Sequence, residues 1–163
     1  MQNKVLDYRV GFGFDVHAFD DETAKTVRLG GVDIPFDKKL KGHSDADVIL
    51  HALCDAILGA AGLGDIGEHF PPSDKEHKDK DSRKFVNHVI KLIEAKVNNI
   101  DITVICEKPK LSAHKKAIKE EIARLCEIDE TRVNIKATTT EGLGFTGRGE
   151  GIACQACVTL ITE

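Results

Sequence analysis

Residues 46–61, ADVILHALCDAILGAA, are apolar except at Asp47, His51 and Asp55. The run is shorter than the roughly 20 residues a membrane helix needs. It is apolar around most of its circumference, so it belongs in a core with structure packed on more than one side. Ser44 followed by Asp47 reads as a capping-box-like start, and Gly62 and Gly64 supply a stop, which predicts a helix over residues 46–61. Ser44, Asp47, His51 and Asp55 then fall on one stripe of that cylinder. Burying such a stripe unpaired is costly, so a polar partner must face it.

The flanking segments supply the layers. Residues 8–14 alternate, with Val10, Phe12 and Phe14 on one face and Gly11 and Gly13 between them, as in a strand that another element approaches closely. Residues 27–36 read as two short strands meeting at Gly30 and Gly31. Residues 71–81 are charged and proline-containing and predict an exposed loop, after which Ser82 can cap a helix carrying Phe85, Val86, Val89, Ile93 and Val97, ended by Asn98 and Asn99. Ile100, Ile102, Val104 and Cys106 alternate as a strand. Ser112 can start a helix with Ile118, Ile122 and Leu125 facing inward, and Val133, Ile135 and Ala137 alternate again. This is a β-α-β unit with parallel strands and a right-handed crossover, beside which residues 152–161 can return as a last strand. The fold class is α/β (α+β, two layers): a mixed sheet of about four main strands plus a small hairpin, helices on one face, in a ferredoxin-like arrangement.

A length of 163 residues fits one domain, 1–163, and 41% hydrophobic content suffices for its core. The formal charge of −4 gives no global basic field, so neither nucleic acid nor an anionic membrane surface is expected as partner. Residues 1–8 lack the layout of a secretion signal, which places the expected location in the cytoplasm. The five cysteines, Cys54, Cys106, Cys126, Cys154 and Cys157, sit mostly in apolar patterns and read as small buried hydrophobes.

Three groups of residues can carry chemistry. Asp15 and His17, two apart on a strand, share a face and make a usable pair of metal ligands. His51, oriented by Asp47 or Asp55, would complete an Asp-His-His set that suits Zn²⁺, against the alternative of a hydrogen-bonded core histidine. His43 and Ser44 lie just before the buried helix, where the dipole favours an anion such as phosphate. Finally, residues 136–151 place Thr138, Thr139, Thr140, Glu141 and Arg148 among five glycines, a composition suited to phosphate, with Glu141 able to hold Mg²⁺; a long polar hairpin is the alternative. Without a serine or cysteine nucleophile beside a positioned base, phosphoryl transfer by positioning is the natural inference.

With these residues in view, the chain resembles the 2-C-methyl-D-erythritol 2,4-cyclodiphosphate synthase family over nearly its whole length. The motifs run in order: GFDVHAF at 13–19, GGVxIP at 30–35, HSDAD at 43–47, LHAL at 50–53, LGDIG at 63–67, DS at 81–82 and KATTTExLGFTGRGEG at 136–151. The resemblance implies an enzyme that turns 4-diphosphocytidyl-2-C-methyl-D-erythritol 2-phosphate into the cyclic diphosphate and CMP. It puts Zn²⁺ on Asp15, His17 and His51, a second cation, Mg²⁺ or Mn²⁺, on Glu141, and transition-state stabilisation on His43 and Thr139. Substrate contacts would fall on Asp15, His17, His43, Ser44, Asp65, Ile66, Gly67, Phe70 and Asp74. They would continue through Cys106, Lys110, Leu111 and Ser112 around cytosine, and Thr138, Thr139, Thr140 and Glu141 at the phosphates. The family implies a homotrimer with active sites between subunits and a central cavity, reached by Phe145 and Arg148, that can hold an isoprenoid diphosphate.

Pro72 departs from the family pattern where a carboxylate is common, and Cys106-Glu107 stands where small or amide residues are expected. Two other readings compete: a zinc-dependent nucleotide phosphohydrolase, and a non-catalytic diphosphate sensor.

Overall fold

The computed structural model describes residues 5–162; half of the 1–8 segment read for a signal lies outside them. Strand β1 (Asp7–Thr23) leads into a hairpin of β2 (Thr26–Leu29) and β3 (Val32–Pro35), whose turn holds Gly30 and Gly31 at φ of 62° and 76°. There follow β4 (Lys38–Leu40), helix α1 (Val48–Ala61), a single-turn α2 (Ile66–His69) and α3 (Ser82–Leu92). The chain closes with β5 (Lys96–Ile105), α4 (Lys115–Cys126), β6 (Val133–Thr138), a single-turn α5 (Gly144–Gly147) and β7 (Gly151–Thr162).

The main sheet runs β4-β1-β7-β5-β6, five strands where four were expected, the extra one being the three-residue β4. The β-α-β unit stands as read, with β5 and β6 parallel. The connectivity departs from a ferredoxin-like order, because β7 enters between β1 and β5, antiparallel to both, and the parallel pair lies at the sheet edge. Helix α1 packs on β1 and β7 and is buried along ten of its positions, among them Ile49, Leu53 and Ile57. The opposite face of β1 is open: Tyr8, Val10, Phe12 and Phe14 are all more than half exposed.

Several boundaries move. Helix α1 is N-capped by Asp47, not Ser44; the Asp47 carboxylate accepts from Leu50 N at 3.1 Å and from the hairpin amides of Gly30 and Gly31 at 2.9 and 2.7 Å. Burial and the Asp45 charge push its pKa up, against these three donors. Asp81, not Ser82, caps α3, and α3 ends at Leu92. Val97 belongs to β5, opposite Leu160, beside a register shift that breaks the alternation and leaves Val97 in phase with the preceding helix. Helix α4 starts at Lys115, three residues past Ser112, because His114 and Lys115 first close a turn on the Leu111 carbonyl. Cys154 and Cys157, three apart on β7, point to opposite faces of the sheet.

Candidate metal centre and adjoining cavities

Asp15 and His17 sit in mid-β1 and not at its end, on the side that α1 crosses. Glycine sets how closely it crosses: a Cβ at Gly11 would lie 1.8 Å from the Ala56 carbonyl oxygen, and one at Gly13 1.8 Å from that of Ala52. Only glycine allows this contact of strand and helix backbones. His51, in the first turns of α1, is thereby lowered onto the Asp15-His17 pair.

The Oδ2 atom of Asp15 lies 2.9 Å from His17 Nε2 and 3.3 Å from His51 Nδ1, and the two nitrogens are 3.2 Å apart. These separations match the roughly 3.3 Å edge of a tetrahedron built on metal bonds of about 2.0–2.1 Å. His17 Nδ1 is 3.0 Å from the Lys41 carbonyl, which can only accept, so the neutral ring turns its Nε2 lone pair inward. His51 Nε2 faces away, 2.8 Å from Ser82 Oγ and 3.2 Å from Ser44 Oγ. Asp15 Oδ2 is buried without a well-formed hydrogen bond. Three electron-rich atoms turned on one point call for a cation, and the oxygen and nitrogen donors fit a divalent metal.

In the metal-free protein, protons meet part of that need. Burial opposes the Asp15 charge, but the close His17 and His51 rings outweigh it and hold the carboxyl at about 2. Burial likewise pushes His17 down, yet the Asp15 hydrogen bond and charge prevail and raise its pKa above the usual value.

Neither expected orienting carboxylate bonds the His51 ring. Asp47 is spent on the hairpin and the α1 cap, and Asp55 accepts from Ile66 N at 2.7 Å. Ser82 and Ser44 take that place, and the sequence reading missed Ser82 in this capacity because it sat at a predicted helix cap. The amide of Leu50 at the start of α1 is likewise filled by Asp47, which takes one of the donors expected to face an anion beside His43.

Next to these three side chains is a cavity of about 170 Å³ bounded by His43, Ser44, Ile66, Gly67, Phe70 and Phe85. His77 also lines it, its ring edge-on to Phe70 and Phe85 and its Nε2 3.4 Å from Asp74. Pro72 borders the same cavity, whereas Asp65 caps α2 through Glu68 N at 3.0 Å. A second cavity, of about 180 Å³, is lined by Cys106, Lys110, Leu111, Ser112, Thr138 and Thr139. Burial pushes the Cys106 thiol up to about 11, which removes it as a nucleophile at neutral pH. Thr140 Oγ1 meets Thr146 Oγ1 at 2.8 Å, exposed Glu141 holds a φ of 53° with its N–H on Thr139 Oγ1, and Glu107 Oε1 accepts from Gly142 N at 3.3 Å. Arg148 pairs with Glu150 at 3.0 Å, and Phe145 is exposed.

The two cavities share no lining residue. Register explains why: at one end of the sheet His17 pairs with Ile152, the next residue Ala153 with Ile105, and Ile105 with Thr138. The metal-type centre and the threonine loop are therefore three strand spacings apart, roughly 14 Å.

Fold and site together define a small two-layer α/β protein with a carboxylate-and-imidazole metal-type centre. Comparison narrows this. A model of the YgbB family matches residues 8–161. A 2-C-methyl-D-erythritol 2,4-cyclodiphosphate synthase of Trichlorobacter lovleyi is 50% identical over 158 residues, 95% of this chain and 99% of that protein. The synthase of Halalkalibacterium halodurans is 53% identical over 156 residues, 94% of this chain and 98% of its own. Among solved structures, the bifunctional IspDF from Campylobacter jejuni superposes with a TM-score of 0.92 at 43% identity, covering 98% of this chain and 43% of that longer one. IspF of Plasmodium falciparum, in a CDP complex, gives 0.83 at 36% identity, covering 96% and 97%. The chain belongs to the YgbB family, the family of the 2-C-methyl-D-erythritol 2,4-cyclodiphosphate synthases.

Proposed function

We propose that the protein converts 4-diphosphocytidyl-2-C-methyl-D-erythritol 2-phosphate into 2-C-methyl-D-erythritol 2,4-cyclodiphosphate and CMP. An oxygen of the substrate's 2-phosphate bonds to the β-phosphorus, the bond from that phosphorus to the bridging oxygen breaks, and CMP leaves with the bridging oxygen. The observation that carries the reading is the Asp15-His17-His51 centre beside a cavity, in a chain about half identical to synthases over nearly its full length. When bound, Zn²⁺ at Asp15, His17 and His51 and Mg²⁺ or Mn²⁺ at Glu141 would withdraw charge from phosphoryl oxygens and fix the two phosphates side by side.

The protein's own part is to fold the substrate onto itself. His43 and Thr139 offer donors to the charge that builds on phosphorus. The methylerythritol end fits the cavity of Ser44, Ile66, Gly67 and Phe70, where Pro72 supplies packing but no hydrogen bond. Asp65 and Asp74, close in sequence to residues of that end of the site, would meet the substrate there. Cytosine fits the cavity of Cys106, Lys110, Leu111 and Ser112, with Thr138 and Thr140 toward the phosphates.

Half-sites roughly 14 Å apart on one chain favour completion of the site by a second copy, and the exposed apolar face of β1 supplies a surface on which copies can meet. This supports a homotrimer with active sites between subunits, and a central cavity in which Phe145 and Arg148 could meet an isoprenoid diphosphate. No helix among the described residues is long and apolar enough to cross a membrane, and a cytoplasmic site of action fits the reading. The hydrolase alternative draws no support from the relatives, and isotope labelling separates the two. In H₂¹⁸O, cyclisation gives products free of ¹⁸O, whereas label in CMP or in a phosphate ester would show hydrolysis and contradict the proposal.

A further inference from the structure

We propose that Ser82 and Asp45 form a positioning pair that fixes the proton of His51 on Nε2 and so holds the Nδ1 lone pair at the metal centre. The proposal rests on the metal reading given above. Ser82, the first residue of α3, is fully buried, and its Oγ lies 2.8 Å from His51 Nε2. That contact alone leaves open which atom donates. Asp45 decides it: the Ser82 hydroxyl donates to Asp45 Oδ1 in a short contact, and the Ser82 amide donates to Asp45 Oδ2 at 3.0 Å.

A carboxylate only accepts, so both polar hydrogens of Ser82 are committed to Asp45, and its Oγ is left to accept from His51. The imidazole proton is therefore drawn to Nε2. Ser44 Oγ, 3.2 Å from the same nitrogen, accepts from Ala46 N at 3.2 Å. Asp45 is itself held, its N–H donating to the Lys80 carbonyl at 3.1 Å and its Oδ1 accepting from Asp47 N at 3.2 Å. The pair thus joins the start of α3, the approach to α1 and the metal ligand.

Without Asp45 the hydroxyl is free to rotate and donate to Nε2. The ring proton would then move to Nδ1, where it competes with the metal. The same geometry explains why a serine 2.8 Å from a histidine is no nucleophile here: Ser82 is out of reach of any substrate and its proton points away from the imidazole.

The test is Zn²⁺ affinity by chelator competition on the wild-type protein and on S82A, D45N and S82T. Absorption spectra of the Co²⁺-loaded forms and circular dichroism of the metal-free forms accompany it. S82A and D45N are expected to bind Zn²⁺ about 10- to 100-fold more weakly than wild type, with a changed Co²⁺ spectrum and an unchanged fold. S82T, which keeps the hydroxyl, is expected to recover most of the affinity. If S82A does not fold, D45N carries the same expectation. Wild type that takes up no metal overturns the metal reading itself, whereas tight binding by wild type with undiminished affinity in both variants overturns the pair alone.

Discussion

In the proposed metal centre, protons would compete with metal for His17. Its pKa is raised by Asp15 despite burial, so in the metal-free protein the ring keeps a proton to a higher pH than an ordinary imidazole does, about 6.5. Metal needs the neutral ring, and binding must displace that proton. Apparent Zn²⁺ affinity should hold at high pH and fall by about tenfold per unit once the pH drops below the raised pKa, since one proton is then exchanged per metal. Calorimetry in two buffers of different ionisation enthalpy reads this directly: proton release on metal binding that grows as the pH is lowered through the raised pKa is expected, and none would reject His17 as ligand. Asp15 and His17 were legible in the sequence because a two-residue spacing on a strand forces a shared face. His51 was legible because a buried histidine on an apolar helix demands a polar partner. Ser82, Asp45 and His77 were not. Ser82 lies 31 residues from His51 and 37 from Asp45, and no period or spacing connects contacts made across separate loops. His77 sat in a segment whose charge and prolines spoke only for exposure, yet Phe70 and Phe85 enclose its ring.

The contact of β1 with α1 is the structural support of the centre, and it runs through glycine. Replacing Gly13 by alanine puts a methyl where the Ala52 carbonyl already stands, and helix backbone cannot yield as a flexible side chain can. Gly13→Ala should destabilise the protein by about 3 kcal/mol or more in urea unfolding and weaken metal binding as His51 is lifted from Asp15. Wild-type stability in this variant would show that the helix does not rest there. At this scale the sequence spoke clearly where period and punctuation agreed: the α1 core, the Gly30-Gly31 hairpin and the β5-α4-β6 unit are as read. It misled where two periods coincided. Val97 is four residues from Ile93, a helical step, and also a strand position beside a register shift. The strand order was out of reach, since placing β7 between β1 and β5 is decided by pairing across the whole chain.

On the scale of the molecule, the alternation that buries Gly11 and Gly13 turns Tyr8, Val10, Phe12 and Phe14 outward, so the most apolar side of β1 faces away from its own core. A patch of this kind fits the interface of the proposed homotrimer. Sedimentation should give three times the 17.8 kDa chain mass, and Phe12→Glu should yield monomers that still bind Zn²⁺, because all three ligands come from one chain, yet turn over at least about 100-fold more slowly. A monomeric wild type, or a monomeric variant with full activity, would contradict the shared site. The central claim is tested most directly by following the zinc-loaded protein with Mg²⁺ and 4-diphosphocytidyl-2-C-methyl-D-erythritol 2-phosphate by ³¹P NMR, beside His51→Ala. The account predicts coupled signals of a cyclic diphosphate growing in step with CMP, and neither signal from His51→Ala. Zinc-loaded protein that leaves the substrate unchanged, or a His51→Ala protein that turns over like wild type, would contradict it.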